Sequence, residues 1–166
     1  MKILHVIGDL SPETGGPVSA LLGLYETQRE LGHEVRIATT DYGLTEKEID
    51  ETIVACKCTF PSWRYASSLK GRLTGLVQWA DIVHVHTIWE YPTLVALRLA
   101  RKLNKPCLLR PCGMLDAWSL SQSRFKKRLY LSFFSKDIFY SGIKLHFTTH
   151  AEQEKSLYPS GIDFMV

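Results

Sequence analysis

Short apolar runs alternate along the chain with longer stretches in which apolar residues recur every three or four positions. The runs predict strands at Lys2–Ile7, Glu34–Thr40, Ile53–Phe60, Asp81–Thr87, Pro106–Arg110, Lys144–Thr148 and Ile162–Val166. Helices are predicted from near Pro17 to Gly32, over Ser67–Ala80, from Pro92 to about Leu103, over Arg124–Ser141 and from the capping box at Thr149. This alternation predicts an α/β fold in which a mainly parallel sheet has helices on both faces.

Composition and charge limit the function classes. The chain has 166 residues, of which 45% are hydrophobic and 22% charged, as expected for one globular domain. Residues 1–60 hold 5 Lys/Arg and 10 Asp/Glu, whereas residues 61–166 hold 15 and 7, so the second half is distinctly basic. A basic half favours an anionic partner such as phosphate or a membrane surface, or is simply a solvated face. No recognised motif accompanies the charge, so we expect no nucleic-acid partner.

Location and cysteine chemistry are indicated by the same sequence. No stretch reaches the roughly 20 apolar residues that span a bilayer, and the first residues lack the features of a signal peptide. We therefore expect a cytoplasmic protein, with peripheral contact to the inner membrane face as a further expectation.

The four cysteines, Cys56, Cys58, Cys107 and Cys112, have no metal-binding spacing. We expect buried thiols and no metal site.

Ligands of parallel sheets bind at the carboxyl ends of the strands, so the loops there carry the candidate chemistry. The first such loop contains Gly15 and Gly16 before a helix. This pattern is typical of an anion site at a helix N-terminus, and it also suits a tight turn that needs glycine. The spacing is not G-x-G-x-x-G, which disfavours a nicotinamide-dinucleotide enzyme.

The loop after the fourth predicted strand suggests a sugar site. His84 and His86 share one strand face, and no carboxylate or cysteine completes a metal set, so we interpret His84 as structural. His86, Trp89 and Glu90 are predicted to line a cleft, because an aromatic face with polar neighbours suits a sugar ring. A surface aromatic explains Trp89 equally well.

Two further segments remain open to more than one interpretation. Cys112 follows a strand and begins a glycine loop, so it could be a nucleophile, but no base can be assigned and an inert thiol is favoured. Arg124, Lys126, Lys127 and Arg128 precede apolar residues. This pattern suits an anionic membrane surface, although we favour a helix packed in the core.

Taken in order, these segments resemble a known family. The segments are Lys2-Ile3-Leu4-His5-Val6, Gly15-Gly16-Pro17, Leu31-Gly32-His33-Glu34-Val35, Asp81-Ile82-Val83-His84-Val85-His86, and Arg110-Pro111-Cys112-Gly113-Met114-Leu115-Asp116-Ala117-Trp118. They resemble the N-terminal half of a GT-B glycosyltransferase of the retaining group 1 type (family 4). Their order and spacing, rather than any single motif, carry the resemblance.

The resemblance implies a Rossmann-like domain that holds the acceptor across a cleft from a donor-binding domain. Gly15 and Gly16 would approach the phosphates of a nucleotide-sugar donor, and His86, Trp89, Glu90 and Asp116 would face the acceptor or the transferred sugar. Cys112 would occupy the position of a histidine that many relatives carry near the reacting sugar. The transfer would need no metal and no cofactor. Some relatives dock on membranes through a basic patch, which would correspond to Arg124–Phe134.

The last predicted strand, Ile162–Val166, is apolar and has no tail after it. We therefore expect residues 1–166 to form a single N-terminal domain from which a C-terminal donor-binding domain is missing, so that the chain alone is inactive. The acceptor could be a glycan, a lipid-linked sugar or a small molecule. The alternative is a non-catalytic truncated module that binds a partner chain, a membrane surface or a glycan.

Overall fold

The computed structural model describes residues 1–44 and 51–166, which form seven strands and six α-helices. The strands are β1 (Lys2–Val6), β2 (Glu34–Thr40), β3 (Ile53–Cys56), β4 (Ile82–His86), β5 (Cys107–Arg110), β6 (Ile143–His146) and β7 (Asp163–Met165). The helices are α1 (Gly16–Glu30), α2 (Leu69–Trp79), α3 (Tyr91–Lys102), α4 (Ala117–Ser121), α5 (Arg124–Ile138) and α6 (His150–Lys155).

The seven strands form one sheet in the order β3-β2-β1-β4-β5-β6-β7, and every pair is parallel. His5 on β1 lies opposite His84 on β4, and His86 lies opposite Arg110 on β5. From β1 the sheet is extended first on one side, by β2 and β3, and then on the other side, by β4 to β7. The point between β1 and β4 is the topological switch point, where ligands bind in sheets of this kind. This architecture confirms the predicted Rossmann-like α/β fold.

Each face of the sheet carries its own apolar core. On one face, Leu21 and Tyr25 of α1 pack with Ile3, Ile7 and Ile37. On the other face, α2 and α3 pack against side chains such as Val83 and Leu109. α3 is buried over most of its length, from Pro92 to Ala100, because it lies between the sheet, α2 and α5. The alternation of side chains along a strand thus assigns residues 5, 84, 86 and 110 to the α1 face.

Several predicted boundaries differ from the structure by one to three residues, and two larger differences have local reasons. β3 ends at Cys56 rather than at Phe60, because the chain turns off the sheet there: the Cys58 N–H donates to Asp41 and Phe60 pairs with Tyr65. The sequence pattern did not predict α4 as a separate helix. Asp116 caps this helix, with its Oδ1 accepting from the N–H groups of Trp118 and Ser119.

The interpretation of Arg124–Ser141 as a helix packed in the core is correct for one side of the helix only, where Tyr130, Leu131 and Phe134 pack against the core. The helix α5 ends at Ile138, which is its only fully buried residue. Phe125 and Phe133 are 79% and 69% exposed, and Leu129 between them is exposed as well. These three side chains repeat every four residues, so they form an apolar stripe along one side of the helix. None of the helices described here is long and apolar enough to cross a membrane.

Candidate functional site

Two cavities open at the carboxyl edge of the sheet, and Cys112 lines both of them. The larger cavity, of about 680 Å³, lies between the loops that follow β5 and β6 and includes Asp116, Trp118 and Glu152 in its lining. The smaller cavity, of about 270 Å³, lies between the first turn of α1 and the ends of β5 and β6. Its lining consists of Gly16, Pro17, Ala20, Arg110, Cys112 and Thr148. Cys112 therefore marks the junction of the two cavities.

The glycines of the first loop face open space. Gly15 has a φ of 70°, a conformation that glycine adopts without strain, and it precedes the first residue of α1. A Cβ atom added to Gly15 or Gly16 would meet nothing within 4 Å. The N–H groups of Val18 and Ser19 both donate to the Gly15 carbonyl, and Pro17 has no N–H. In the described part of the chain, the Gly16 N–H is thus the donor that this helix end leaves for a ligand.

The loop after β5 is held in an unusual backbone conformation. Cys112 and Gly113 have φ values of 54° and 75°, so two successive residues are left-handed. Glu152 of α6 fixes this loop, because its two carboxylate oxygens accept from the N–H groups of Gly113 (2.6 Å) and Thr148 (2.7 Å). The Cys112 thiol lies 3.6 Å from the Arg110 carbonyl, to which it donates. The side chain at the junction is therefore positioned by its backbone and not by a neighbouring base.

The protonation state of Cys112 argues against nucleophilic chemistry. Burial raises the pKa of its thiol, and the Arg110 guanidinium offsets this only in part. The reactive form of cysteine is the thiolate, which a raised pKa disfavours at neutral pH. This environment favours the predicted inert thiol over a nucleophile.

Asp116 and Trp118 belong to the larger cavity, although Asp116 also has a structural duty. Its Oδ1 caps α4 at 2.7 Å from the Trp118 nitrogen, which leaves Oδ2 as the oxygen able to accept from a ligand hydroxyl. Trp118 is 74% exposed. The sequence motif includes Trp118 but gave it no predicted role, because its exposure depends on the position of α4.

Glu90 lies beneath the first glycine loop and is not an open cleft residue. Its Oε2 accepts from the Thr87 hydroxyl at 2.8 Å. Gly8 packs directly on this carboxylate, since a Cβ atom on Gly8 would lie 2.2 Å from Glu90 Oε2. Desolvation by burial raises the pKa of Glu90. The carboxylate thus joins the loops that follow β1 and β4.

Asp9 and Arg64 form a second link across the same edge, which the sequence pattern did not predict. The Asp9 carboxylate is buried and accepts from Arg64 Nε at 2.6 Å, from the Ser11 N–H and from the Thr14 hydroxyl. Arg64 also stacks over the Tyr42 ring at 3.8 Å. This pair ties the glycine loop to the turn at Pro61–Trp63, so the loop that begins α1 is anchored on both sides.

The structure does not bring His86 to the cleft. His86 is fully buried beneath α1, where its Nε2 lies 2.9 Å from His5 Nδ1. His5 in turn contacts the Gln28 amide at 2.8 Å, and His84 contacts His146 at 3.1 Å. The prediction failed because His86 is the last residue of its strand but points to the face that α1 covers.

The buried histidines are neutral and already paired with one another. Burial lowers the pKa of His84 and of His86 well below the ordinary value, and the Arg110 charge acts in the same direction. One ring nitrogen from each of His5, His84 and His86 lies within 4.8 Å of the others, the spacing of a possible metal set. Within this set, His5 Nδ1 and His86 Nε2 contact each other, and the guanidinium of Arg110 lies nearby. These rings are in the neutral form that ligates metals, and the buried Nδ1 of His86 has no partner among the described residues, but the nearby Arg110 charge disfavours a divalent cation.

Trp89 and Lys127 contact each other beside the junction of α4 and α5. The Lys127 ammonium lies 5.3 Å from the centre of the Trp89 ring and donates to the Ser119 carbonyl at 2.6 Å. The Trp89 ring also packs edge-on against Tyr130. Lys127 thereby joins α4 to α5, whereas Arg124, Lys126 and Arg128 remain exposed.

Arg110 is a functional candidate to which the sequence pattern assigned no role. It ends β5 and is only 8% exposed, and in the described part of the chain its guanidinium makes no ion pair. Its Nη2 donates to the Thr148 hydroxyl at 3.2 Å, and its buried Nε has no partner among the described residues. The available indication was a cation at the end of an otherwise apolar strand.

Comparisons with known proteins agree with this fold. The family model described as "Glycosyl transferase 4-like domain" matches residues 15–164. Among solved structures, MurG of Acinetobacter baumannii superposes with a TM-score of 0.56 at 14% identity, over 99% of this chain and 46% of that one. A putative UDP-N-acetylglucosamine 2-epimerase from Listeria monocytogenes gives a TM-score of 0.55 at 17% identity, over 93% of this chain and 40% of that one. This chain thus spans less than half the length of either structure. No curated protein sequence matches it.

Proposed function

The chain belongs to the family of glycosyl transferase 4-like domains, and from that premise we propose that it is the acceptor-binding N-terminal domain of a retaining glycosyltransferase. The family match over residues 15–164 is the observation that carries the proposal. The donor is a nucleotide sugar, and the acceptor is a glycan, a lipid-linked sugar or a small molecule. The transfer uses no resident metal or cofactor.

Each cavity has a part in this proposal. The smaller cavity takes a phosphate of the donor beside Gly16, and the larger cavity takes the acceptor or the transferred sugar. Trp118 offers an exposed aromatic face for a sugar ring, and Asp116 Oδ2 accepts from a hydroxyl. Cys112 lines both cavities, at the position where many relatives would carry a histidine.

The proposed reaction does not require a strong base from this chain. In a retaining transfer of this type, the leaving phosphate of the donor accepts the proton of the acceptor hydroxyl. The Cys112 thiol is a weak hydrogen-bond donor, so it shapes the junction rather than moving a proton. A second domain supplies the opposite wall of the cleft, without which the reactants are not positioned for transfer.

The exposed side of α5 supports a further part of the proposal, namely peripheral contact with the inner face of an anionic membrane. The exposed stripe of Phe125, Leu129 and Phe133 lies among the cations Arg124, Lys126 and Arg128. Apolar side chains that enter the interface and cations that attract anionic lipids are the two features that such contact requires. A cytoplasmic enzyme held there would meet lipid-linked acceptors.

The same exposed stripe favours a second candidate function, a non-catalytic module that binds a partner through α4–α5. The gene downstream of the Val166 codon distinguishes the two candidates. We expect the reading frame to continue into a second strand–helix domain with paired glutamates. A stop codon directly after Val166 would contradict the enzyme proposal for this chain by itself.

Activity assays then test the function directly. We expect the two-domain protein to transfer a labelled sugar from a nucleotide-sugar panel with retention of anomeric configuration, and the 166-residue chain to transfer none. In the two-domain protein, Trp118→Ala should raise the acceptor KM, whereas Phe60→Ala, an exposed aromatic outside the cavities, should not. Transfer by the 166-residue chain alone, or an inverted product, would contradict the proposal.

A further inference from the structure

Arg110 is a buried cation that has no counter-charge among the described residues. Its side chain lies at the carboxyl end of β5 on the α1 face of the sheet, 8% exposed, and its Nε is buried without a hydrogen-bond partner. Burying an unpaired charge is unfavourable, so buried cations in proteins are usually paired. A cation in this state fits a site whose anion is supplied by a ligand.

The groups around Arg110 do not supply that anion. His84, His86 and His146 lie close enough to feel its charge. The pKa of each is lowered, chiefly by burial and with a smaller contribution from Arg110, so they are neutral. Glu152 is the nearby carboxylate, but its two oxygens accept from the backbone N–H groups of Gly113 and Thr148. In the described part of the chain, no carboxylate lies within ion-pair distance of Arg110.

The cavity that Arg110 lines has the other features of an oxyanion site. Gly16 and Pro17, in the first turn of α1, line the same cavity as Arg110, so the positive end of a 15-residue helix contributes to this cavity. The Thr148 hydroxyl, 3.2 Å from Arg110 Nη2, lies on the same wall as Arg110. A volume of about 270 Å³ is below the roughly 300–1,000 Å³ of pockets for whole ligands, so the cavity suits one part of a larger molecule.

We propose that Arg110, the Gly16 N–H and the Thr148 hydroxyl form a phosphate-binding subsite that this chain provides without a second domain. The proposal rests on the proposed function, which brings a diphosphate to this edge of the sheet, and it adds the charged ligand that the glycine loop lacks. The helix end by itself offers one free N–H, because Pro17 has none and the next two N–H groups bond to Gly15. The guanidinium supplies the remaining charge and a planar pair of donors.

The test titrates the 166-residue chain with inorganic pyrophosphate by calorimetry. We expect Arg110→Gln to weaken binding by at least about tenfold, which is the usual effect of losing a charge-assisted hydrogen bond. Arg110→Lys should retain part of the affinity, because it keeps the charge and loses the fork. Arg72→Gln is the matched control, an equal loss of charge on the exposed side of α2, and it should change the affinity by less than about twofold, since exposed charges act weakly.

A stability measurement separates a ligand-binding arginine from a structural one. Without pyrophosphate, Arg110→Gln should leave the Tm unchanged or higher, because it removes an uncompensated buried charge. With pyrophosphate, the Tm of the unaltered chain should rise and that of Arg110→Gln should not. A large drop in Tm for Arg110→Gln together with unchanged affinity would overturn the proposal.

A readout on the unaltered chain covers the case in which Arg110→Gln does not fold. The Nε–H resonance of Arg110, assigned by its loss in Arg110→Lys, should shift in NMR spectra as pyrophosphate is added. If millimolar pyrophosphate fails to bind, or binds without moving this resonance, the proposal is wrong.

Two further titrations identify the source of the phosphate. Tighter binding of a nucleoside diphosphate than of pyrophosphate indicates the donor, and tighter binding of a prenyl monophosphate indicates a lipid-linked acceptor; both support the subsite. Failure of the two-domain protein to transfer sugar, with Arg110-dependent pyrophosphate binding intact, would overturn the proposed function alone. Sugar transfer with unchanged pyrophosphate binding by Arg110→Gln would overturn the subsite alone.

Discussion

At the scale of single residues, Gly8 is a position where one added methyl group would overlap a neighbouring side chain. The Glu90 carboxylate occupies the place that a Cβ atom on Gly8 would take, with 2.2 Å to its Oε2. Thr87 holds this carboxylate by a hydrogen bond, so it cannot move away freely. The close contact, rather than a left-handed turn, explains why glycine stands near the end of β1.

Gly8→Ala should therefore lower the free energy of unfolding by about 1–3 kcal/mol, the usual effect of overpacking. In Gly8→Ala/Glu90→Ala the carboxylate is gone, so the loss should be smaller than the sum of the two single losses. Urea unfolding of the four proteins measures this coupling. Additive losses would show that the two residues do not contact each other in solution.

Cys112 gives a second prediction at this scale. Because burial raises the pKa of its thiol, its thiolate fraction near neutral pH is small, and iodoacetamide should alkylate it more slowly than the half-buried Cys58. The rate at Cys112 should continue to rise as the pH is increased beyond the ordinary pKa of 9.0. Mass spectrometry of the two peptides measures both rates, with Cys112→Ser as the control for peptide assignment. Faster labelling of Cys112 than of Cys58 near neutral pH would contradict the inert thiol.

At the scale of elements, the face of the sheet beneath α1 contains a row of neutral histidines on three strands. Neighbouring rings of this row contact one another: His5 of β1 contacts His84 and His86 of β4, and His84 also contacts His146 of β6. Gln28 of α1 completes the row by contacting His5. The row links strands that are distant in sequence, and it depends on the rings remaining uncharged.

Acid should therefore destabilise the fold at a mild pH. The folded-state pKa values of His5, His84 and His86 lie below the ordinary value of 6.5, so the stability they contribute is present above pH 6.5 and is lost as the pH falls toward the folded-state values. The free energy of unfolding should fall by about 1 kcal/mol per pH unit for each such histidine. Urea unfolding at a series of pH values on both sides of 6.5 measures the slope.

The control for this slope is His150→Gln, since His150 is exposed at the start of α6. The free energy of unfolding of His150→Gln should change with pH as steeply as that of the unaltered chain. A free energy of unfolding that stays constant across this pH series would show that the histidines are accessible to protons in the folded state.

The helix α5 carries the prediction for membrane contact. Removing Phe125 and Phe133 together by substitution with Ser should lower partitioning into anionic vesicles by about tenfold for each residue, given the free energy of burying a phenylalanine. Phe60→Ser removes an exposed aromatic of the β3–α2 connection and should have no effect. Sedimentation with anionic vesicles measures the loss of partitioning, and sedimentation with neutral vesicles separates apolar insertion from attraction to anionic lipids. Equal partitioning of all variants would contradict docking through α5.

The sequence predicted elements better than it predicted the directions of side chains. All seven strands and the main helices were predicted, because apolar runs and helical spacing are local properties. The exposed stripe of α5 was not predicted, since the period of an apolar face is the same whether or not another element covers it. His86 was misplaced for the same reason: its position along the strand is local, whereas α1 covers it from distant sequence.

At the scale of the whole molecule, the candidate site arises from segments that no local pattern connects. Arg110, Gly16 and Thr148 come from three parts of the chain and share one cavity only because β1, β4, β5 and β6 end at the same edge. The sequence indicated Gly15 and Gly16, whose turn chemistry is local. It could not indicate that Arg110 lacks a counter-charge, because that is a property of the packed molecule.

The order of the strands has a consequence for amide hydrogen exchange. β4 lies at the centre of the sheet between β1 and β5, β2 and β6 follow outward, and β3 and β7 are the edges. Amides that open only on global unfolding exchange last, so protection should fall from the centre of the sheet toward both edges. β7, whose residues are all exposed, should exchange within the earliest time points. Peptide mass spectrometry would contradict this gradient if β7 exchanged as slowly as β4. The two cavities then lie on the β7 side of the most protected strand, β4, at the ends of strands with intermediate protection.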